Sequence, residues 1–278
     1  MTIRLCTWNV WLNHGPWRER HEAIEATLAG LAPDGVALQE VYDPVDRSGS
    51  PLVAIAENLG YELIMGPPPA GFEAPVRNAI MSRLPVTDTD AMLLTDRHEH
   101  RYRSVVTATL DHADGPVQVF TTHLEHRYHL GSLRQEQLQE IVGFMADRWP
   151  EKDAFPPVLM GDLNAVPDSD EVRRLTGRAD PYDAGNNRRR IFLDAWDVAA
   201  PGSDGVTWDS ANPYLEYPQW PNRRLDYILI GYPSEKPLGR VANIELAGTE
   251  PVDGVTPSDH YAVVADLYTA ADGRPEDR

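Results

Sequence analysis

The sequence predicts an α/β fold in which mixed β-sheets are covered by helices. Strand-like apolar runs recur along the whole chain, from "IRLCTWNVW" near the start to "YAVVADL" near the end. Helical patterns alternate with these runs in the first quarter, whereas later strands follow one another through short turns, as in "TLDHADGPVQV". This mixture favours sheets that contain both parallel and antiparallel pairs over a purely parallel, doubly wound sheet.

Eight segments read as strands because their apolar residues are continuous or alternate with polar ones. In the last of them, Ala262, Val264 and Asp266 lie on one face, and Val263 and Ala265 on the other. The predicted strands begin at Ile3, Gly35, Asn78, Arg103, Val117, Pro157, Arg224 and Tyr261.

Two helices are predicted in the first quarter of the chain. Apolar residues from Trp17 to Leu31 fall at helical spacing and predict the first. In the second, Ser50 occupies the N-cap, Pro51 the first turn and Gly60 the C-terminal end.

Two further helices are predicted from capping patterns. Ser132 and Gln135 have the spacing of a capping box ahead of an apolar helical stripe. Asp168 with Glu171 predicts the start of a shorter helix that Gly177 ends.

The length and composition predict one compact, soluble domain. The chain has 278 residues and no internal linker rich in Gly or Ser, so we expect a single domain over residues 1–268 and a disordered tail over residues 269–278. Its only cysteine, Cys6, lies in an apolar run and predicts a buried thiol. Neither a long apolar span nor a basic leader is present, so we expect a cytoplasmic monomer without a membrane span.

The formal net charge of −18 bears on the choice of partner. Non-specific affinity for nucleic acids comes mainly from Lys and Arg side chains that displace counterions, so this excess of acids disfavours nucleic acid as a partner. A local basic groove or a bound metal ion could still reverse the sign of the charge at one site.

Polar side chains repeatedly stand at the ends of the predicted strands. Because each lies beside a segment that should be buried, we expect them to converge at one end of the sheets. Carboxylate and amide oxygens are ligands that suit Mg²⁺ or Mn²⁺ better than zinc. The residues are Asn9, Gln39, Glu40, Asn78, His123, Asp162, Asn164, Asp226, Asp259 and His260.

Seven short motifs occur in an order that resembles the endonuclease/exonuclease/phosphatase superfamily, whose fold is that of DNase I. They are "TWNVW", "LQEV", "NAIMSRLPV", "TTHLE", "GDLNAVPDS", "RRLDYIL" and "SDHYAVV", and they span about residue 3 to residue 267. The resemblance implies a four-layer sandwich, in which two packed mixed β-sheets are flanked by helices and the active site lies at one edge.

The resemblance also implies roles for individual residues. Asn9 and Glu40 match the metal-binding positions, with Glu40 as the direct ligand for Mg²⁺ or Mn²⁺, and Asp259 matches a carboxylate that binds the metal or orients other groups. The remaining matches are catalytic: Asp162 orients or deprotonates water, Asn164 steadies phosphoryl oxygens, Asp226 holds the imidazole of His260 against the scissile phosphate, and His123 contacts the phosphate. For substrate binding we add Asn78, Arg103 and Trp208.

The implied function is hydrolysis of a phosphodiester or phosphomonoester by metal-activated water. We expect a small or lipid-derived substrate, because the chain offers only scattered arginines among an excess of acids. The segment that begins "TWDSAN" is similar to sphingomyelinase-like and tyrosyl-DNA phosphodiesterase-like members. A DNA nuclease or DNA-end-processing phosphodiesterase is therefore the alternative, and a non-catalytic binding module the remote one.

Two further segments are candidates for contact with the substrate. "NNRRR", at residues 186–190, reads as a solvated loop or as a phosphate clamp. Trp208, Tyr217 and Trp220 read as packing residues or as an aromatic wall beside the leaving group.

Overall fold

The computed structural model describes residues 1–44, 49–68, 76–97, 103–150, 154–182, 191–215, 221–232 and 238–270. Residues 186–190, Tyr217, Trp220 and residues 271–278 of the predicted tail lie outside these ranges. Thr269, also part of the predicted tail, is instead buried, and its N–H donates to the Met1 carbonyl. Within them the structure has two six-stranded sheets and five α-helices. None of these helices is both long and apolar enough to cross a membrane.

The first sheet has the strand order β11-β12-β1-β2-β4-β3. Strands β1 and β2 are parallel and the other neighbours are antiparallel, so the sheet is mixed. Its strands are β1 (Thr2–Asn9), β2 (Gly35–Tyr42), β3 (Glu62–Met65), β4 (Val76–Ser82), β11 (Val241–Ala247) and β12 (Ala262–Tyr268).

The second sheet has the order β5-β6-β7-β8-β10-β9. Here β7 and β8 are the parallel pair, and the remaining neighbours are antiparallel. Its strands are β5 (Val86–Leu93), β6 (Ser104–His112), β7 (Gly115–His123), β8 (Val158–Asp162), β9 (Phe192–Asp194) and β10 (Asp226–Gly231).

Three apolar cores separate four layers, which confirms the predicted sandwich. The inner faces of the two sheets meet in a core that includes Leu5 and Val119. A second core packs the outer face of the first sheet against α1 and α2, and a third packs the outer face of the second sheet against α3 and α4. The helices are α1 (Trp17–Leu31), α2 (Pro51–Leu59), α3 (Gly131–Ala146), α4 (Asp170–Leu175) and α5 (Ala195–Ala199).

The ends of α2 agree with the sequence pattern, but two predicted caps are wrong. Ser50 accepts a hydrogen bond from the Leu52 N–H at the start of α2, and Gly60 ends the helix in the left-handed conformation. Helix α3 continues directly from a 3₁₀ turn, so Ser132 falls inside its first turn and forms no cap. In α4 the capping hydroxyl belongs to Ser169, one residue after the predicted Asp168.

Gly161 permits the close approach of β7 and β8 next to the end of β8. Its φ of +144° is strained for any residue with a side chain, and a Cβ atom would lie 2.0 Å from the carbonyl oxygen of Thr122. The neighbouring residue is Asp162, so this contact also fixes where the strand delivers that carboxylate.

We expect Gly161→Ala to lower the free energy of unfolding by about 2 kcal/mol or more, because the added carbon forces the two strands apart. Gly143→Ala is the matched control: this glycine lies inside α3 with open space at its Cβ position, so alanine should stabilise by about 0.5–1 kcal/mol. Urea denaturation monitored by circular dichroism measures both. Equal effects of the two substitutions would contradict the packing described here.

Candidate active site

Strand register places three site residues in one row across the second sheet. His123, the last residue of β7, pairs with Asp162 at the end of β8, and Asp162 pairs with Asp226 at the start of β10. All three side chains are buried. Segments about 40 and 60 residues apart therefore deliver an imidazole and two carboxylates to one point.

The first sheet brings Asn9 and Glu40 to the same place. Asn9 ends β1, and its Nδ2 donates a hydrogen bond across the two sheets to Oδ2 of Asp162, at 3.1 Å. The Asn9 Oδ1 accepts the Trp11 N–H at 3.0 Å, which fixes the orientation of the amide. Glu40 lies in the irregular part of β2, where the register against β4 shifts, and has a φ of +53°.

His260 is held as a cation by a carboxylate. Its Nδ1 lies 2.8 Å from Oδ2 of Asp226 in a buried pair. Burial alone would lower the pKa of His260, but the negative charges of Asp226 and Asp259 outweigh burial and raise it well above 6.5. The Trp8 indole donates to the His260 carbonyl at 2.9 Å and fixes the backbone there.

Asp162 lies at the centre of the cluster. Burial and the nearby charge of Asp226 raise the pKa of Asp162 to about 7, although His260, the Asn164 N–H and Asn9 act in the opposite direction. The Asn164 N–H donates to its Oδ1 at 2.8 Å. A carboxyl group with a pKa near neutrality can exchange a proton at physiological pH.

His123 provides a neutral ring beside these carboxylates. Its Nε2 lies 3.4 Å from Oδ2 of Asp162 and 3.8 Å from Oε1 of Glu40. Burial and the positive charges of Arg103 and His260 lower its pKa well below 6.5. The two active-site histidines therefore differ in charge, because only His260 has a directly bonded acid.

A divalent cation fits the carboxylates at this site. Glu40, Asp162 and Asp259 all line one cavity of about 330 Å³. Burial raises the pKa of Asp259 to about 7, and the negative charge of Glu40 contributes to this shift. Such a set of mutually repelling hard oxygen donors is what Mg²⁺ or Mn²⁺ binds in proteins.

A second arrangement of possible ligands is less suitable. Within the described residues, ligand atoms of Asp162, Asp226 and His260 all lie within 4.8 Å of one another. The ring of His260 is already hydrogen-bonded to Asp226 and favours its protonated form, which cannot ligate a metal. We therefore assign the cation to the side of the cavity that contains Glu40 and Asp259.

The cavity gathers most of the residues that the sequence singled out. Asn9 and Asp226 stand directly behind it, since they bond to Asp162 and His260. The predicted residues in its lining are Glu40, His123, Asp162, Asn164, Trp208, Asp259 and His260.

Asn78 and Arg103 are placed differently from the expectation of substrate contact. The Asn78 amide donates to the carbonyl and hydroxyl oxygens of Ser104, where it joins the two sheets. Arg103 is buried, and its Nη2 lies 3.1 Å from Nδ1 of His126. Neither residue lines the cavity, so the geometry gives both a supporting role.

Several cavity residues were not predicted from the sequence. His126, Arg127 and Tyr128 follow the strand that ends at His123 and form part of the rim. Their nearness to the "TTHLE" motif was the available signal. An arginine on the rim adds a positive charge that could face an anionic substrate.

Arg20 braces the site without touching the cavity, and no sequence signal indicated it. It is fully buried in α1, and its guanidinium lies over the Trp11 ring, 4.8 Å from the ring centroid. It connects the loop after β1 to the segment that leads into Asp259 and His260. The carbonyl groups that accept its hydrogen bonds belong to Val10, Trp11, Leu12, His14 and Pro257.

Comparison with known proteins agrees with this geometry. The Endonuclease/Exonuclease/phosphatase family matches residues 6–260. The chain belongs to this family. Its members are metal-dependent phosphoester hydrolases, so the chain is such an enzyme and the predicted superfamily is confirmed. A curated relative, the uncharacterized protein F14F9.5 of Caenorhabditis elegans, is 26% identical over 302 residues, which cover 96% of this chain and 91% of that protein.

Solved structures confirm the DNase I-like fold. One is the crystal structure of D. rerio TDP2 complexed with a single-strand DNA product, which has a TM-score of 0.76 and a sequence identity of 22%. The alignment covers 96% of this chain and 99% of that chain. An endonuclease/exonuclease/phosphatase from Bacteroides vulgatus has a TM-score of 0.72 at 20% identity, with 96% of this chain and 99% of that chain covered.

Replacing Asp226 should change the charge of His260. In metal-free protein we expect Asp226→Asn to lower the pKa of His260 towards or below 6.5, because burial then acts without the bonded anion. The folded-state pKa of the wild-type ring is raised, so the pair stabilises the fold fully below about pH 6.5 and less as pH rises through that pKa. Histidine NMR titration measures the shift, and an unchanged His260 pKa would contradict the pairing.

Proposed function

We propose that this hydrolase acts on a small organic phosphodiester or phosphomonoester, using water activated beside a divalent cation. One observation carries the proposal. A carboxyl group with a pKa near 7 and a histidine that favours its charged form, Asp162 and His260, lie 3.9 Å apart in one cavity that also contains Glu40 and Asp259. At neutral pH this pair therefore supplies a carboxylate that can accept a proton and a protonated imidazole that can donate a hydrogen bond.

Glu40 and Asp259 are the residues that would hold the cation. A divalent ion bound there supplies a Lewis acid for a phosphoryl oxygen and lowers the pKa of water. The Asn9 side chain accepts a hydrogen bond from the Trp11 N–H and donates one to the Asp162 carboxylate, so its main contribution is to orient Asp162.

Asp162 is the group we assign to accept the proton of the attacking water. Its Oδ1 is fixed by the Asn164 N–H, and its Oδ2 faces Asn9 and, at 3.4 Å, His123. These contacts fix the carboxylate relative to the cavity, so little reorganisation is needed when the water is oriented.

His260, Asn164 and His123 are the donors we assign to the phosphoryl oxygens. The Asn164 Nδ2 donates to the Leu124 carbonyl at 3.1 Å, which orients the amide beside the cavity. His260 has its Nε2 available on the side away from Asp226 and would stabilise the charge that develops in the transition state. Its bond to Asp226 keeps the ring in that orientation.

The dimensions and charge of the site support a small substrate. The cavity has a volume of about 330 Å³, and Arg127 is the one arginine among the described residues that line it. With a net charge of −18 on the whole chain, long-range attraction of a polyanion is weak.

Processing of a DNA end is the second candidate, and two observations favour it. The chain shares its fold with TDP2 over 96% of its length. A neighbouring cavity of about 480 Å³ shares Tyr128 and Asn164 with the catalytic cavity. Arg134 and Arg223 line it, so a strand of nucleic acid could bind along it.

A nicking assay on plasmid DNA and an end-processing assay on oligonucleotides, run beside a panel of small phosphoesters, separate the candidates. We expect faster turnover of a small ester; faster DNA cleavage would reverse the order.

Asp162→Asn and His260→Ala should each lower kcat/KM by about 10²–10⁴-fold, because one removes the base and the other a charged donor. Steady-state kinetics on a small phosphoester with Mg²⁺ or Mn²⁺ tests this, with circular dichroism to verify folding. The control is Asp88→Asn, an exposed acid on the edge strand β5, which should leave turnover unchanged. Turnover near the wild-type rate in either site variant would refute the assignment.

Loss of a metal ligand and loss of the catalytic imidazole should have different effects on Mn²⁺ affinity. We expect Glu40→Gln to weaken Mn²⁺ binding by about tenfold or more, since the site loses a charged ligand. His260→Ala should retain Mn²⁺ affinity or increase it, because a nearby positive charge is removed. Isothermal titration calorimetry measures both. Equal weakening by the two substitutions would place the cation elsewhere, and a chelator should abolish wild-type turnover.

A further inference from the structure

A second cavity adjoins the catalytic one and shares Trp208 with it. Its volume is about 580 Å³, larger than that of the catalytic cavity. Its lining is aromatic and apolar and includes Trp11, His14, Pro16, Trp208, Pro213 and Tyr214. We call this cavity the aromatic cleft.

Stacked rings form one side of the aromatic cleft. The centroids of Trp11 and Tyr214 lie 4.7 Å apart with their planes tilted by 32°, and the ring of His14 lies 5.5 Å from that of Trp11. Trp11 and Tyr214 are each partly exposed, although the Arg20 guanidinium also lies over the Trp11 ring. Aromatic faces of this kind bind planar rings more favourably than their apolar area alone would predict.

The aromatic cleft contains no acid, lysine or arginine among the described residues that line it. The cavity on the other side of the catalytic site differs, since Arg134 and Arg223 line it. The described lining therefore offers no acid, lysine or arginine to pair with a second charged group, and a neutral group suits it.

The aromatic cleft is held rigidly against the catalytic segment. Arg20 binds the Trp11 and Pro257 carbonyls, and the Tyr214 hydroxyl donates to the Thr256 carbonyl at 3.0 Å. The Asn212 Nδ2 donates to the Ser258 carbonyl at 2.9 Å. The two segments that carry the stacked rings are thus both bonded to residues 256–258, which immediately precede Asp259 and His260.

We propose that the aromatic cleft binds a neutral planar ring carried by the phosphoester substrate, while the phosphoryl group lies in the catalytic cavity. The proposal rests on the proposed function, because it assigns the organic part of the same substrate. Trp208 lines both cavities, so a substrate that extends past this ring would place its organic part in the cleft. The rigid stack of Trp11 and Tyr214 makes the cleft selective for flat groups.

Binding of phosphinate anions tests whether the cleft prefers an aromatic ring, without interference from turnover or from changes in the charge of the ligand. They are singly charged mimics of a phosphodiester and have no P–O ester bond to hydrolyse. The probes are dimethylphosphinate and methylphosphinates that bear a phenyl or a cyclohexyl ring, each attached directly or through a two-carbon arm. Their dissociation constants are measured by calorimetry with Mg²⁺ or Mn²⁺. With at least one of the two attachments we expect phenyl to bind about 2- to 12-fold more tightly than cyclohexyl.

Substitutions in the aromatic cleft should remove that preference. We expect the ratio of phenyl to cyclohexyl affinity to fall below about twofold in Trp11→Leu and in Tyr214→Leu, which lack one ring of the stack. Tyr214→Phe keeps the ring and should retain the preference. Tyr232→Leu is the control for loss of an exposed tyrosine, since Tyr232 follows β10 at the end opposite Asp226. Using a ratio cancels any common loss of affinity.

The outcomes distinguish the aromatic cleft from the catalytic site. Binding of dimethylphosphinate with no preference for phenyl would overturn the proposed role of the cleft but not the proposed function. A preference that survives in both leucine variants would do the same. Failure of dimethylphosphinate and of inorganic phosphate to bind would overturn the proposed function and the cleft together.

Discussion

The structure depends on one constraint: a buried carboxylate, Asp162, is held between two packed sheets. The second sheet places it in a row with His123 and Asp226, and the first sheet reaches it through Asn9. Because each of these partners comes from a different strand, the position of the carboxylate is fixed by the fold as a whole. The tight contact at Gly161 and the register of β7, β8 and β10 are requirements of that position.

The electrostatic cost of this arrangement explains the chemistry that we assign to it. Asp162, Asp226 and Asp259 are gathered near Glu40, and burying like charges together is unfavourable. Two of them respond with a pKa near 7, so their ionisation lowers the free energy of unfolding as pH rises from about 4 to about 7. A charged His260 offsets part of the repulsion, and a divalent cation would offset more. The same forces that strain the fold therefore favour the binding of a cation, and the cation together with the charged His260 would attract the phosphoryl group.

The central strands and the convergence of most residues of the candidate site were predictable, whereas the sheet edges and the supporting contacts were not. Apolar runs mark the buried strands, and polar residues at their ends, such as Asp162 and His260, stand out against that background. The four strands that the patterns missed, β3, β5, β9 and β11, are the four edges of the two sheets, where short length or solvent-facing polar residues remove the signal. Arg20 could not be predicted either, since its five carbonyl partners are assembled only by the tertiary fold.

The central claim is that residues from both sheets surround a single cation site, and paramagnetic Mn²⁺ tests it most directly. In an NMR titration with Mn²⁺, the ring signals of His123 and His260 should broaden first and together, because both line the cavity with Glu40 and Asp259. The ring of His112, at the far end of β6, should remain sharp. Saturable broadening of His123 and His260, with the rim residue His126 also affected and His112 unchanged, is the predicted result. Uniform broadening of all histidines, or broadening of only one of the pair, would contradict the account.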